Sequence, residues 1–283
     1  MKKKKLKVIK ARCAGFCFGV KRAVGVAEKF LTQRKTAYSL GPIIHNPSVV
    51  SELSKKGLEV ISDIKKARRS YILIRSHGIA PRLMKEAKAL SIGMIDATCP
   101  FVKRSHRIVT MLKKEGYKII IVGERSHPEI RALTEVAGRS CKVIAKESDL
   151  KKLKLSTKKI AAVAQTTLSR DNFLKITSSM LDMDCFEFRI FDTICSDVVK
   201  RQTEAKQLAK RVELILVVGG KISANTRHLA NICKDAGAKT HHIETERELK
   251  PSWFKSGDSI GVISGASTPE NIVDRVVSKL KSM

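Results

Sequence analysis

Three cysteines occupy the same kind of place in the chain. Cys17 lies in Ala14-Gly-Phe-Cys-Phe-Gly-Val-Lys-Arg-Ala-Val, Cys99 between the apolar run Gly93-Met-Ile-Asp-Ala-Thr98 and Pro100-Phe-Val-Lys-Arg-Ser-His, and Cys195 in Phe191-Asp-Thr-Ile-Cys-Ser-Asp-Val-Val-Lys-Arg. Each is a thiol where a strand hands over to a helix. Each is followed 24 residues later by a glycine that ends the next apolar run: Gly41, Gly123 and Gly219. Four residues past these glycines stand His45, His127 and Ser223, and a third strand end per unit is also polar: Ser76-His77-Gly78, Gln165-Thr166-Thr167 and Ser264-Gly-Ala-Ser267. Core packing explains one buried cysteine, but it gives no reason for thiol, glycine and polar side chain to recur together, so we read an internal repeat of about 90 residues. A thiol at a helix start has its pKa lowered by the N–H groups and the dipole, which favours the thiolate that metals require. Three thiolates suit iron–sulfur chemistry, and three in place of the usual four leave one metal position open for substrate. Cys141, Cys185 and Cys233 lack the pattern and are expected to pack. Cys13 is either a fourth ligand or a neighbour on the entering strand.

His127-Pro128-Glu129 is the most chemically pointed loop. An acid in a first helical turn commonly serves only as a dipole partner. The aligned positions in the other two units are Pro47 and Asn225, so Glu129 alone can move a proton there, with Thr166 and Thr167 adding hydroxyls. His45 and His77 are either capping or core histidines or ligands for phosphate oxygens, and Ser223, Asn225 and Ser267 at helix starts suit the same anion. No Gly-x-x-x-x-Gly-Lys-Ser/Thr loop is present, which argues against a P-loop nucleotide site. The residues themselves therefore point to a metal site with one acid, flanked by anion-binding groups.

These side chains need a scaffold of alternating strands and helices with short loops, hence parallel sheets in α/β units. Strands are expected at 5–11, 37–40 and 71–75, then 93–98, 118–122, 141–145 and 159–164, then 188–194, 213–218, 239–243 and 259–264. Helices are expected at 20–33, 47–56, 81–90, 100–115, 128–137, 169–183, 196–211, 224–236 and 268–281. The 283 residues would allow two domains by length, but the repeat favours three small α/β lobes, residues 1–98 with the N-terminal strand, 99–194 and 195–283. An odd seven cysteines in a chain of this length suggest reduced thiols and a cytoplasmic location. Met1-Lys-Lys-Lys-Lys looks like the start of a signal peptide, but Lys7 and Lys10 break the apolar stretch, so neither export signal nor membrane span is expected. The net charge of +29, from 56 Lys and Arg against 27 Asp and Glu, raises nucleic-acid binding as a competitor. Against it, the basic residues are dispersed in pairs such as Lys55-Lys56 and Lys113-Lys114, and aromatic residues are only 5%. A solvated basic surface, or one that attracts an acidic electron-transfer protein, fits the dispersal better.

The run Gly15-Phe-Cys-Phe-Gly-Val-Lys-Arg-Ala, with His45-Asn46, Ser76-His-Gly, Asp96-Ala-Thr-Cys-Pro, His127-Pro-Glu, Gln165-Thr-Thr-Leu-Ser and Gly265-Ala-Ser, closely resembles the 4-hydroxy-3-methylbut-2-enyl diphosphate reductase (LytB) family over nearly the whole chain. The resemblance implies the last step of the non-mevalonate isoprenoid pathway, reductive loss of an allylic hydroxyl to give isopentenyl and dimethylallyl diphosphate. It implies three pseudo-equivalent α/β lobes with small, mostly parallel sheets around a central iron–sulfur site, a 4Fe-4S cluster or 3Fe-4S after loss of the open iron. By position it makes Cys17, Cys99 and Cys195 the ligands and Glu129 the proton donor, assisted by Thr166 and His127, which also touch substrate. It lays the diphosphate among His45, His77, Ser223, Ala224, Asn225 and Ser267, and implies a ferredoxin- or flavodoxin-type electron donor. Two places depart from the family pattern. Ser223-Ala224-Asn225 stands for Ser-Ser-Asn, and Asp197-Val198 for Ala-Thr, where an added acid either lowers the cluster potential or faces solvent.

Overall fold

The computed structural model describes residues 5–153 and 158–283. Residues 1–4, the bulk of the lysine run weighed above as a leader, lie outside them. The chain opens with β1 (Lys7–Lys10) and α1 (Phe18–Arg34), then β2 (Ala37–Leu40), α2 (Pro47–Lys55), β3 (Leu58–Ile61), β4 (Tyr71–Ile74), α3 (Pro81–Ala89) and β5 (Gly93–Asp96). A second series holds α4 (Pro100–Lys114), β6 (Lys118–Val122), α5 (Pro128–Ala137), β7 (Cys141–Ile144), β8 (Lys159–Ala164), α6 (Arg170–Ser179) and β9 (Glu187–Phe191). A third holds α7 (Ser196–Ala209), β10 (Leu214–Val218), α8 (Ala224–Asp235), β11 (Lys239–Ile243), β12 (Ser259–Ser264) and α9 (Glu270–Lys281). No helix among the described residues is long and apolar enough to cross a membrane.

These elements form an α/β fold in three lobes, each on a four-stranded parallel sheet: β3-β2-β4-β5, β7-β6-β8-β9 and β11-β10-β12-β1. The central strands β6, β8 and β10 read as unbroken apolar runs because helices cover both faces, and Ile119 through Val122 and Ile215 through Val218 are fully buried. Proline opens α2, α3, α4 and α5, where its fixed φ suits the first turn and its missing N–H has no partner to lose. The repeat persists in the hydrogen bonds. The N–H of Gly41 donates to Ile61 O at 3.0 Å, that of Gly123 to Ile144 O at 2.8 Å, and that of Gly219 to Ile243 O at 2.8 Å.

The N-terminal strand is a correction to the expected division. β1 pairs with β12, Lys7 opposite Ser259 through Lys10 opposite Val262, and so belongs to the third sheet and not to the first lobe. It fills the place that β5 and β9 fill in the other sheets, an outer strand leading to a cysteine, and it covers an edge of β12 that would otherwise be bare. Strands 93–96 and 187–191 likewise close the sheets before them. β3 was not expected: Leu58-Glu-Val-Ile61 is a short edge strand with Glu59 and Val60 exposed, so it lacks apolar alternation. The expected helix at 169–183 ends at Ser179 and tightens into a 3-10 turn at Met180–Asp182. The chain divides into two compact units. One holds the third sheet, residues up to Lys21, Ile44–Ser51 and Ser196–Met283; the other holds the first two sheets, Arg22–Ile43 and Glu52–Cys195.

Candidate functional site

Each of the three cysteines lies in the loop after an outer strand and immediately precedes a helix, and each backbone N–H is fixed in the same way. Cys17 donates to Ala266 O at 3.0 Å, Cys99 to Ser76 O at 3.0 Å and Cys195 to Thr166 O at 2.9 Å. The three acceptors are in the three polar strand ends that the sequence marks, so each thiol neighbours the polar end of the preceding repeat, and the first thiol that of the third. Val20 N–H also donates to Cys17 Sγ at 3.4 Å, an N–H at a helix start directed at sulfur.

In the larger unit these bonds join six of the expected residues. Thr166 follows β8, and its N–H and hydroxyl donate to the two carboxylate oxygens of Glu129, at 2.9 and 2.7 Å. Glu129 sits in the first turn of α5 and is fully buried. His127 caps that helix, its Nδ1 accepting the Glu129 N–H at 3.3 Å, and its ring meets the His77 ring edge-on at 5.1 Å. A path of contacts therefore runs from Cys195 through Thr166, Glu129, His127 and His77 to Ser76 and Cys99. Burial pushes the Glu129 carboxyl up to about 7, because desolvation outweighs the two hydrogen bonds from Thr166 that favour the anion. A carboxyl poised near neutrality can both hold and release a proton.

The other unit holds Cys17, His45, Ser223, Ala224, Asn225 and Ser267. Ser267 Oγ donates to His45 O at 3.2 Å, and a Cβ on Gly220 would stand 2.7 Å from the same oxygen, so the loop before α8 needs glycine to pass His45. Ser223 caps α8, its Oγ accepting Thr226 N–H at 3.4 Å, while Ala224 and Asn225 are buried in the first turn. Both amide atoms of Asn225 are buried with no hydrogen-bond partner among the described residues. A native buried amide left in that state is expected to meet a ligand or water.

Two groups were missed from sequence. Arg201, only 2% exposed, donates to Gly15 O at 3.0 Å, Ser264 O at 3.1 Å and Asp197 Oδ2 at 2.7 Å, and Gly15 N–H donates to Ser264 Oγ at 2.9 Å. The departing acid Asp197 thus neutralises a buried arginine that braces the Cys17 loop. A helical Asp-x-x-x-Arg spacing was the available signal. Glu204 accepts the N–H groups of Arg12 and Cys13, at 2.6 and 3.0 Å. Burial and that carboxylate push the Cys13 thiol up to about 12, which disfavours a thiolate ligand and leaves Cys13 as a neighbour of the loop. Burial also raises Cys233 to about 12 and raises Cys141, in keeping with packing.

The profile of the LytB protein family matches residues 8–281. A 4-hydroxy-3-methylbut-2-enyl diphosphate reductase of Pelobacter propionicus is 42% identical over 275 residues, 97% of this chain and 98% of that protein. The counterpart in Geobacter metallireducens is 40% identical over 279 residues, with 98% of each chain covered. Among solved structures, the E-1-hydroxy-2-methyl-but-2-enyl-4-diphosphate reductase of Plasmodium falciparum superposes with a TM-score of 0.93 at 29% identity, covering 97% of this chain and 87% of that one. A second, an (E)-4-hydroxy-3-methyl-but-2-enyl diphosphate reductase described as the terminal enzyme of the non-mevalonate pathway, gives 0.70 at 37% identity, covering 98% and 100%. With cysteines and polar strand ends recurring on the three sheets as the sequence orders them, one buried acid beside them, and full-length relatives of one activity, the chain belongs to the LytB family.

Proposed function

We propose that this chain reduces 4-hydroxy-3-methylbut-2-enyl diphosphate at an iron–sulfur centre held by Cys17, Cys99 and Cys195, with Glu129 as the proton donor. The activity is that of its relatives, and iron–sulfur chemistry is general to the family. The observation that carries the reading is Glu129, a fully buried carboxyl with a pKa near 7, two bonds from Thr166 and a place between the two cysteine-bearing strand ends of its unit.

The donor set supports the centre. Three thiols at helix starts, each pinned through its N–H to a strand end, are fixed ligands, and the Val20 N–H at Cys17 Sγ favours the thiolate. A bound 4Fe-4S cluster with one open position would relay two electrons, one at a time, from an external ferredoxin- or flavodoxin-type donor and would offer a Lewis acid to the leaving oxygen, chemistry that no side chain here can perform. The chain does the rest. His45, Ser223, Asn225 and Ser267 receive the diphosphate of the substrate, the orphaned Asn225 amide and the α8 amino terminus offering donors to phosphate oxygens, with Ala224 between them. His77 and His127 line the approach beside the acid. Glu129 delivers a proton to the departing hydroxyl oxygen, and Thr166 holds both carboxylate oxygens so that the acid cannot turn away. The net reaction consumes two electrons and two protons and releases water, leaving an allylic system protonated at either end, hence two isomeric diphosphates. Anaerobically purified protein tests the ligand set. Cys17→Ser, Cys99→Ser and Cys195→Ser should each lose the cluster absorption and electron-paramagnetic-resonance signals, while Cys141→Ser and Cys233→Ser keep them; full iron and sulfide in any of the first three overturns the assignment.

A further inference from the structure

In an open parallel sheet, ligands favour the crevice beyond the strand ends where successive connections leave in opposite directions. In the three sheets those places are β2/β4, β6/β8 and β10/β12. In the second sheet the crevice is filled by Gln165: a Cβ on Gly123 would sit 2.7 Å from its Oε1, which accepts Glu124 N–H at 3.0 Å, while Nε2 donates to Thr167 at 2.7 Å. In the third it is filled by threonines, with Thr268 Oγ1 2.5 Å from a Cβ on Gly219 and donating to Val218 O at 3.0 Å. In the first, the same glycine position, Gly41 with φ +77°, faces Arg75, whose Nη1 would lie 2.8 Å from the added Cβ. A guanidinium thus stands where the other repeats place neutral side chains.

Arg75 lines a cleft of about 640 Å³ bordered by the first turns of α3 and α5, with Arg131 on another wall. The three carboxylates that share the cleft, Asp63, Glu86 and Glu135, are held by Lys65 and Arg82 on its own rim. Asp63 accepts Lys65 N–H at 3.0 Å, Glu86 pairs with Arg82 at 3.5 Å, and Glu135 accepts Arg82 N–H. Neither Arg75 nor Arg131 has a carboxylate partner among the described residues, and burial together with the Arg131 charge presses the Arg75 pKa down. The basic side chains Lys65, Arg75, Arg82 and Arg131 outnumber those acids, and two neighbouring guanidiniums with helix amino termini beside them are left without a counterion among the described residues.

We propose that this cleft is a second anion site, sharing no residue with the α8 site, that takes a phosphate or diphosphate group between Arg75 and Arg131. The planar forks of two arginines match tetrahedral oxyanions through paired hydrogen bonds, and the volume exceeds that of a single phosphate. Thermal unfolding of the full chain at fixed ionic strength tests this, with chloride exchanged for inorganic phosphate, pyrophosphate or isopentenyl diphosphate in parallel, on wild type, Arg75→Gln and Arg131→Gln. Wild type should gain melting temperature with at least one of the three, and that gain should be at least halved in both variants; the anion that does so identifies the source of the group. Without added anion Arg75→Gln should melt no lower than wild type, since it removes an uncompensated charge. Arg131 lies on an exposed helix face, so its variant folds even if Arg75→Gln does not. Equal gains in all three proteins with every anion would overturn the proposal and assign the response to the α8 site alone.

Discussion

Glu129 concentrates two effects in one side chain, because the burial that raises its pKa for proton delivery also makes its ionised form expensive to the fold. Glu129→Gln keeps the shape, its amide oxygen accepting the Thr166 N–H while its NH2 donates to the Thr166 hydroxyl, but it cannot donate a carboxyl proton, so turnover should fall roughly a hundredfold or more with the cluster spectrum intact. Turnover within about threefold of wild type would return Glu129 to the role of a helix-dipole partner. In the wild type, rate limited by the protonated acid should decline as pH rises through about 7. The stability follows the same sign: a folded pKa above the ordinary carboxyl value of 4.5 gives stability present below that value and lost as pH rises through about 7. Above pH 8 the Gln variant should therefore be the more stable, by an amount on the order of 3 kcal/mol, in denaturant titrations. The acid was legible in sequence because its aligned partners are Pro47 and Asn225, which cannot titrate. Its protonation was not, since desolvation depends on what the fold packs around the residue.

At the scale of elements, the cysteine-to-glycine spacing exposed the repeat because metal chemistry asks for the thiol, while a positive φ at Gly41 and Gly219 and close packing on Gly123 ask for the glycine. The partner of β1 stayed hidden, being set by a contact with β12 some 250 residues away in sequence, and β3 carried too weak a pattern. Two helix starts make separate predictions. At α8, Asn225→Ala should raise the Michaelis constant by about tenfold or more, as expected for losing a hydrogen bond to a charged group worth roughly 1.5–3 kcal/mol. The unliganded protein should not melt earlier, because the amide has no partner there among the described residues. Ala224→Ser, which restores the hydroxyl of the family pattern, should lower the constant modestly. An unchanged constant in Asn225→Ala would remove this helix from the diphosphate site. At α7, Asp197 and Arg201 should behave as one device. Arg201→Met strands the Asp197 carboxylate and the carbonyls of Gly15 and Ser264 and should cost about 3–5 kcal/mol. Asp197→Ala, with its partly exposed acid, should cost about 1–3 kcal/mol alone yet under about 0.5 kcal/mol in the Arg201→Met background. Additive losses in that cycle would separate the pair.

For the molecule as a whole, the open question is what +29 charges do on an enzyme whose substrate needs few of them. Most ion pairs here are exposed, such as Lys56 with Glu28 at 2.6 Å and Lys221 with Glu248 at 2.5 Å, and exposed pairs contribute little stability. The excess cations repel one another, so the fold carries a standing electrostatic cost that salt relieves within a screening length of about 10 Å at 0.1 M. Melting temperature should therefore rise as sodium chloride goes from about 0.01 to 0.2 M, the range over which screening grows most. A surface of one sign also attracts partners of the other, and electrons must arrive from outside because the chain stores none. We expect reduction by an acidic ferredoxin or flavodoxin to be fastest at low salt and to fall by about tenfold or more over the same range, the signature of electrostatic steering. A cationic chemical reductant should show no such fall, because the same surface repels it. Donor-dependent rates indifferent to salt, measured beside a melting temperature that does rise, would mean that the charge acts only within the chain and that the donor docks by shape.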